Sequence, residues 1–223
     1  MRKTVIFALA VVLMFAFVTG ALASPTPEVG DIIQFGEWDW RVLDVQDGRA
    51  LIITENAIDR RPYHEHREDI SWETSCLREH LNGEFLESFT AIERERIEEI
   101  SVLNTDNLWY ETTGGNDTID KVFLLSLEEV VKYFGDSGQL QDRPEGRHWI
   151  YDEYNSARIV MIVVNDEDDD GEDNEVALWW WLRSPGYYSY RAAFVYADGR
   201  INVGGNYVNY YGGGVRPALW LNL

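Results

Sequence analysis

Apolar and polar residues alternate over residues 30–40 and again over 41–45, and residues 50–54 form a short apolar run after Asp47-Gly48. A period of two puts one face of a strand against a core, so these segments predict a β-meander. The pattern then changes. In SWETSCLREHLN (71–82), Trp72, Cys76, Leu77 and Leu81 fall near helical spacing, and Gly83 is placed to end the helix. TAIERERIEEI (90–100) opens on a capping box, Thr90 with Glu93, and predicts a charged helix. DKVFLLS (120–126) reads as a buried strand. Ser126 and Glu129 form a second capping box ahead of LEEVVKYF, a helix that stops at Gly135. A loop over 136–149, a short helix near 150–158, a strand at RIVMIVV (158–164) and a buried strand at ALWWWLR (177–183) follow. Three or more strands close the chain. Strands, then helices, then strands, without βαβ alternation, predict an α+β fold in one domain over residues 30–223, with an antiparallel sheet and two to three helices.

The closing strands are unusual. Residues 187–214 hold seven of the twelve tyrosines, with Asn, Ser and Gly between them and no lysine. Asp198-Gly199 marks a turn. A two-residue loop would pair bulky aromatics with aliphatics on one face. A three-residue loop, Ala197-Asp198-Gly199, with Gly199 in the left-handed region, instead opposes Val195 to Ile201 and Ala193 to Val203. Phe194 then faces Asn202, and Tyr196 faces Arg200. Aliphatics sort to one side, and the other side presents Phe194, Tyr196, Asn202, Tyr207, Asn209 and Tyr210, with Tyr187, Tyr188 and Tyr190 in the preceding loop. Tyr, Ser, Gly and Asn are the composition of antibody-type binding loops, where tyrosine brings rigid contact area and the small polar residues adaptable hydrogen bonds. Aromatics also favour strands for packing reasons alone. The sorted face favours a binding surface.

The N-terminus adds a location. Arg2 and Lys3, an apolar stretch over 5–18 and Ala21-Leu22-Ala23 read as a secretory leader cleaved after residue 23, with 24–29 (SPTPEV) as a linker. The expected mature protein is extracytoplasmic, with no later membrane span. Formal charge is −20, and loss of Arg2 and Lys3 takes it to −22, with 17 basic residues against 39 acidic. That excess argues against nucleic acid as a partner, since phosphate binding relies on Lys and Arg. Cys76 is the single cysteine, so no internal disulfide forms. It reads as a small buried apolar residue on a helix, and the adjacent sequence offers no evident partner for a catalytic thiol.

Two polar segments resemble metal loops. DEDDDGEDNE (166–175) places Asp166, Asp168 and Asp170 at alternate positions before Gly171, with Asn174 as a ninth-position ligand. Position twelve is Ala177 and the flanks read as strands, so an EF-hand is excluded and a solvated acidic loop is favoured. YHEHRED (63–69) offers His64-x-His66 beside Glu65 and Asp69, without an identifiable third zinc ligand. No hydrolase, zinc-protease or P-loop motif is present. The expectation is a protein without cofactor and without enzymatic activity.

WWLRSPG (180–186) followed by GVRPALWL (214–221) resembles the C-terminal signature of a family of exported bacterial domains. WRVLDVQDGRALIIT (40–54), WETSCLREHLNGEF (72–85) and KVFLLSLEEV (121–130) extend the resemblance over most of residues 30–221. The resemblance implies a C-type-lectin-like fold, related in outline to formylglycine-generating enzymes and to the variable proteins of diversity-generating retroelements. In those variable proteins, mutagenesis at template adenines diversifies a C-terminal surface. From an Asn codon it reaches a residue set that largely includes Tyr187, Tyr188, Ser189, Tyr190, Arg191, Phe194, Tyr196, Asn202, Asn206, Tyr207, Asn209, Tyr210 and Tyr211. Trp180, Trp181, Arg183, Arg216 and Trp220 belong to the frame, where core packing is expected, with the arginines bonded to carbonyls or carboxylates. The expected function is binding of a cell- or phage-surface protein or glycan. The rivals are an enzyme related to formylglycine-generating oxidases, which use a C-terminal cysteine pair that this chain lacks, and a structural module of a surface assembly.

Overall fold

A computed structural model describes residues 26–164 and 174–223. The residues read as a leader, the first two of the expected linker, and Asp166, Asp168 and Asp170 of the acidic segment lie outside them. The meander forms as β1 (Ile32–Phe35), β2 (Trp38–Gln46) and β3 (Arg49–Thr54). Asp47 and Gly48 both take positive φ, 51° and 77°, which gives the two-residue hairpin turn whose twist matches the strands. After β4 (Asp59–Arg60), a single 3₁₀ turn (Trp72–Thr74) leads into α1 (Cys76–His80). Gly83 does not end this helix. The chain runs on through a π turn, Leu81–Phe85, because Leu81 and Phe85 both enter the core and the wider turn aligns them. The first capping box forms at Thr90, but α2 (Ala91–Arg96) stops early, at Ile97, which leaves the helix to bridge Leu221.

β5 (Ile100–Val102) pairs with β6 (Thr118–Asp120). The expected strand over 120–126 is buried but is no ladder. Val122 N–H goes to Asn82 Oδ1, Phe123 exchanges bonds with Ala218 alone, and the Leu124 and Leu125 carbonyls accept from Arg183. Side chains and single residues thus satisfy a backbone that a sheet would otherwise have to satisfy. The second capping box opens α3 (Leu127–Phe134), with Leu127, Val130, Val131 and Phe134 buried along one face, and Gly135 ends it at φ 117°.

β7 (Trp149–Ile150), a 3₁₀ turn (Asn155–Arg158) and β8 (Val160–Val164) follow. The expected strand over 177–183 is two strands. β9 (Asn174–Leu178) pairs with β8, and the chain changes partners at Trp179 to begin β10 (Trp180–Pro185). β11 (Arg191–Val195), β12 (Ile201–Tyr207), β13 (Gly214–Val215) and β14 (Ala218–Asn222) complete the fold. One sheet has the order β1-β2-β3-β14, and a second has β4-β13-β10-β11-β12-β7, in which only β10 and β13 run parallel. Mixed helix and largely antiparallel sheet make the fold α+β.

Trp40, Trp72, Trp180 and Trp181 fill one continuous core, together with the buried arginines Arg158, Arg183 and Arg216. Arg183 reaches the Leu124 and Leu103 carbonyls and pairs with Glu129. Arg216 donates to the Thr54 carbonyl at 2.8 Å and lies over the Phe134 and Trp180 rings; burial pulls its guanidinium down to about 10. These arginines tie loop carbonyls to the strands, which is a structural use of charge. Among the described residues, no helix is long and apolar enough to cross a membrane.

Candidate functional site

The hairpin β11–β12 has the three-residue turn. Val195 pairs with Ile201, Phe194 with Asn202, and Tyr196 N–H bonds the Arg200 carbonyl. Gly199 sits at φ 82° with no room for a Cβ, because the Asn155 carbonyl lies against it. A register shift between Ala192 and Phe194 then brings Asn206 opposite Ala192. Gly205, at φ 74°, makes this bulge, and its N–H is held by Asn202 Oδ1 at 2.8 Å. Ala193, Val195, Ile201 and Val203 are all buried.

The opposite face is not uniformly free. Phe194 is buried, with its ring 5.0 Å from that of Trp179 and 4.7 Å from that of Tyr196. Trp179 at the strand switch folds over the hairpin and covers it, a contact the alternation pattern does not encode. Phe194 therefore leaves the candidate surface. Tyr196 is half-buried and its hydroxyl accepts from Asn202 at 2.7 Å.

Beyond the bulge the aromatics form a row. Tyr110 meets Tyr187 edge-on, Tyr187 meets Tyr188 at 4.3 Å, Tyr188 stacks on Tyr190 at 5.1 Å, and Tyr190 stacks on Tyr207 at 6.1 Å. Arg67 and Arg191 lie over the Tyr207 ring at 3.9 and 4.5 Å. The loop carrying the row is pinned by Tyr187 N–H to the Gly204 carbonyl and by Ser189 to Asp69. A hydrogen bond with Arg191, then the Arg67 charge, holds the Tyr207 phenol below its ordinary value, while the neighbouring Tyr187 raises that of Tyr188.

Beside this row lies a cleft of about 300 Å³, walled by His148, Trp149, Tyr187, Tyr188, Arg191 and Tyr196, with Asn202, Gly204 and Gly205 also lining it. Aromatic walls with a few convergent polar groups suit a small ring-shaped ligand portion. The structure thus gathers Tyr187, Tyr188, Arg191, Tyr196 and Asn202 at the cleft, with Tyr190 and Tyr207 beside it. Asn206 Oδ1 accepts from Tyr207 N–H, and Asn209 is half-buried. Tyr210 packs toward Trp179, and Tyr211 borders a different cleft. Arg67, Tyr110, His148 and Trp149 join this surface from distant segments and Trp179 from the strand switch just before β10, and all five were missing from the expected set.

Elsewhere, Asn174 begins β9 opposite Val164. His64 and His66 meet edge-on with ring centres 6.3 Å apart, and both His64 ring nitrogens are engaged: Nδ1 faces Cys76, and Nε2 is 2.9 Å from Glu68. Cys76 is partly exposed and has an imidazole partner, contrary to the expectation from adjacent sequence. Among the described residues, no group of three or more His, Cys, Asp or Glu side chains is placed to hold a metal ion. A family model described as a domain of unknown function, DUF6273, matches residues 47–223. No curated protein and no solved structure matches the chain.

Proposed function

The chain belongs to the DUF6273 family, and from that premise we propose that it is a secreted, non-enzymatic ligand-binding protein of C-type-lectin-like fold. Its binding surface is the cleft and tyrosine row on the outer side of β11–β12. The observation that carries this reading is the cleft walled by Tyr187, Tyr188 and Tyr196, with Arg191 and Asn202 also in its lining. Stacked tyrosines supply rigid contact area at low entropic cost, and aromatic and arginine anchors dominate interface energetics. The ligand is a protein or glycan of a cell or phage surface. The residue set of this surface also agrees with diversification by a retroelement, which predicts a near-repeat of the hairpin-coding segment close to a reverse transcriptase, differing at adenines.

An array of glycans and surface proteins probed with the folded chain tests the reading. Tyr188→Ser and Tyr207→Ser should each weaken the recovered interaction by about 1–3 kcal/mol, with unchanged thermal melting. Binding that survives both changes would move the site away from the row.

A further inference from the structure

The other cleft, of about 820 Å³, lies between β4, α1 and the π turn and is bordered by Tyr211. Cys76 lines it. Its Sγ is 3.1 Å from His64 Nδ1, and its own backbone N–H points to the same nitrogen at 3.3 Å. On the far side of the ring, Nε2 is 2.9 Å from Glu68 Oε1. A carboxylate at Nε2 and a backbone donor at Nδ1 together select the tautomer with its proton on Nε2, and the Cys76 N–H and S–H share the single Nδ1 lone pair. Nucleophile, base and orienting acid thus stand in sequence, within hydrogen-bond reach of one another.

The surrounding donors restrict the chemistry. Cys76 N–H is taken by His64, Leu77 N–H by the Tyr63 carbonyl, and Arg78 N–H by Ser75 Oγ. No amide at the helix start is left to hold an oxyanion, so acyl transfer is unsupported. Thiol–disulfide exchange needs no such donor. On the cleft walls Arg61 and Asp59 pair at 2.6 Å, which leaves Glu65, Glu79 and Glu84 against Arg60. His80, also on the wall, is turned to Glu84. The excess of carboxylates favours a cationic co-substrate.

We propose that Cys76 is a nucleophile for thiol–disulfide exchange with small cationic disulfides, with His64 as its base and Glu68 as the residue that positions the imidazole. The Cys76 S–H proton passes to His64 Nδ1, which gives up its bond from the Cys76 N–H, as Sγ attacks one sulfur of the disulfide. A protein–small-molecule S–S bond forms, the original S–S bond breaks, and the departing thiolate takes the proton from Nδ1. One thiol and one disulfide are consumed, and one of each is produced.

Cys76 is the chain's only thiol, so every thiol readout reports on it. The test follows mixed-disulfide formation at pH 7 by mass, with cystamine and with glutathione disulfide, on the folded chain and on the same chain in urea. A positioned base contributes roughly 10²-fold or more in favourable sites. The folded chain should therefore react with cystamine at least about tenfold faster than the unfolded one. The preference for cystamine over glutathione disulfide should be larger in the folded chain and shrink with added salt. His64→Gln should abolish the acceleration. In Glu68→Gln, nitrogen NMR should show His64 losing its single tautomer, a signature that loss of packing alone would not produce. A folded chain that reacts no faster than the unfolded one overturns the proposal. Equal preference for the two disulfides overturns the cationic class. Neither result touches the tyrosine cleft.

Discussion

Asp152 and Arg158 show how much one buried charge pair can carry. Both side chains are fully buried, and the guanidinium bonds the carboxylate through two nitrogens at 2.8 and 3.1 Å. Arg158 also holds the Gly135 carbonyl at the end of α3, while Ser137 and Tyr154 N–H complete the carboxylate's bonds. Burial alone would raise the Asp152 carboxyl, but the hydrogen bonds from Arg158 and Ser137 outweigh it and hold the group below its ordinary value. Removing one partner strands the other charge, so Asp152→Asn should cost about 3–5 kcal/mol in urea denaturation. The sign with pH follows from the lowered value. The contribution is complete above the unfolded carboxyl's value of about 3.9 and fades as pH falls through the folded one. Acid titration of the two proteins should show this component in the wild type and not in the variant.

At the scale of the element, the hairpin separates side chains that pack from side chains that stay exposed. Val195→Ala and Ile201→Ala open space in a closed core and should cost on the order of 1–4 kcal/mol. Phe194→Ala belongs with them, at about 3–5 kcal/mol, since Trp179 and Tyr196 close over its ring. Tyr188→Ser, at an exposed ring, should stay within about 1 kcal/mol. Denaturant melts rank the four, and a destabilised Tyr188→Ser would make the row structural. Much of this hairpin is legible from sequence. Asp198-Gly199 and the sorting of aliphatics settle the turn and the pairing of Val195 with Ile201, and both capping boxes form where Thr90–Glu93 and Ser126–Glu129 place them. What is not legible depends on distant partners. Period-two reasoning has no means of seeing Trp179 cover Phe194, Asn82 replace a strand at Val122, or Arg67 reach Tyr207. The Cys76–His64 pair is hidden for the same reason, because a loop and not a periodic element joins the two residues.

Across the whole molecule, the two larger sheets and α3 share one core, which the β8–β9 pair joins only through Val160, Leu178 and the half-buried Ile162. Val163 and Val176 are both exposed, and Val160 and Leu178, at the base of the hairpin, are its buried apolar residues among those described. Few buried contacts mean a low local opening free energy. Hydrogen exchange read by mass spectrometry should therefore find β8–β9 exchanging well before β3, β10, β11 and β14, which should exchange together. Equal protection throughout would mean that the hairpin is fastened more firmly than its contacts imply.

β14 lies between the meander and the helical segment. It pairs with β3 over Ala218 to Asn222, and its residues also meet Phe123 and Ile97. The strand that closes the first sheet is thus separated from its neighbour by more than 160 residues. This has a consequence in time. Until residues 218–222 leave the ribosome, β3 has an open edge, and the Phe123 and Ile97 segments lack the strand they lean on. Closing so long a loop is a late and slow event. Until that pairing forms, the meander and the segments around Ile97 and Phe123 have no common partner, so the last strand joins them in one step and not piece by piece.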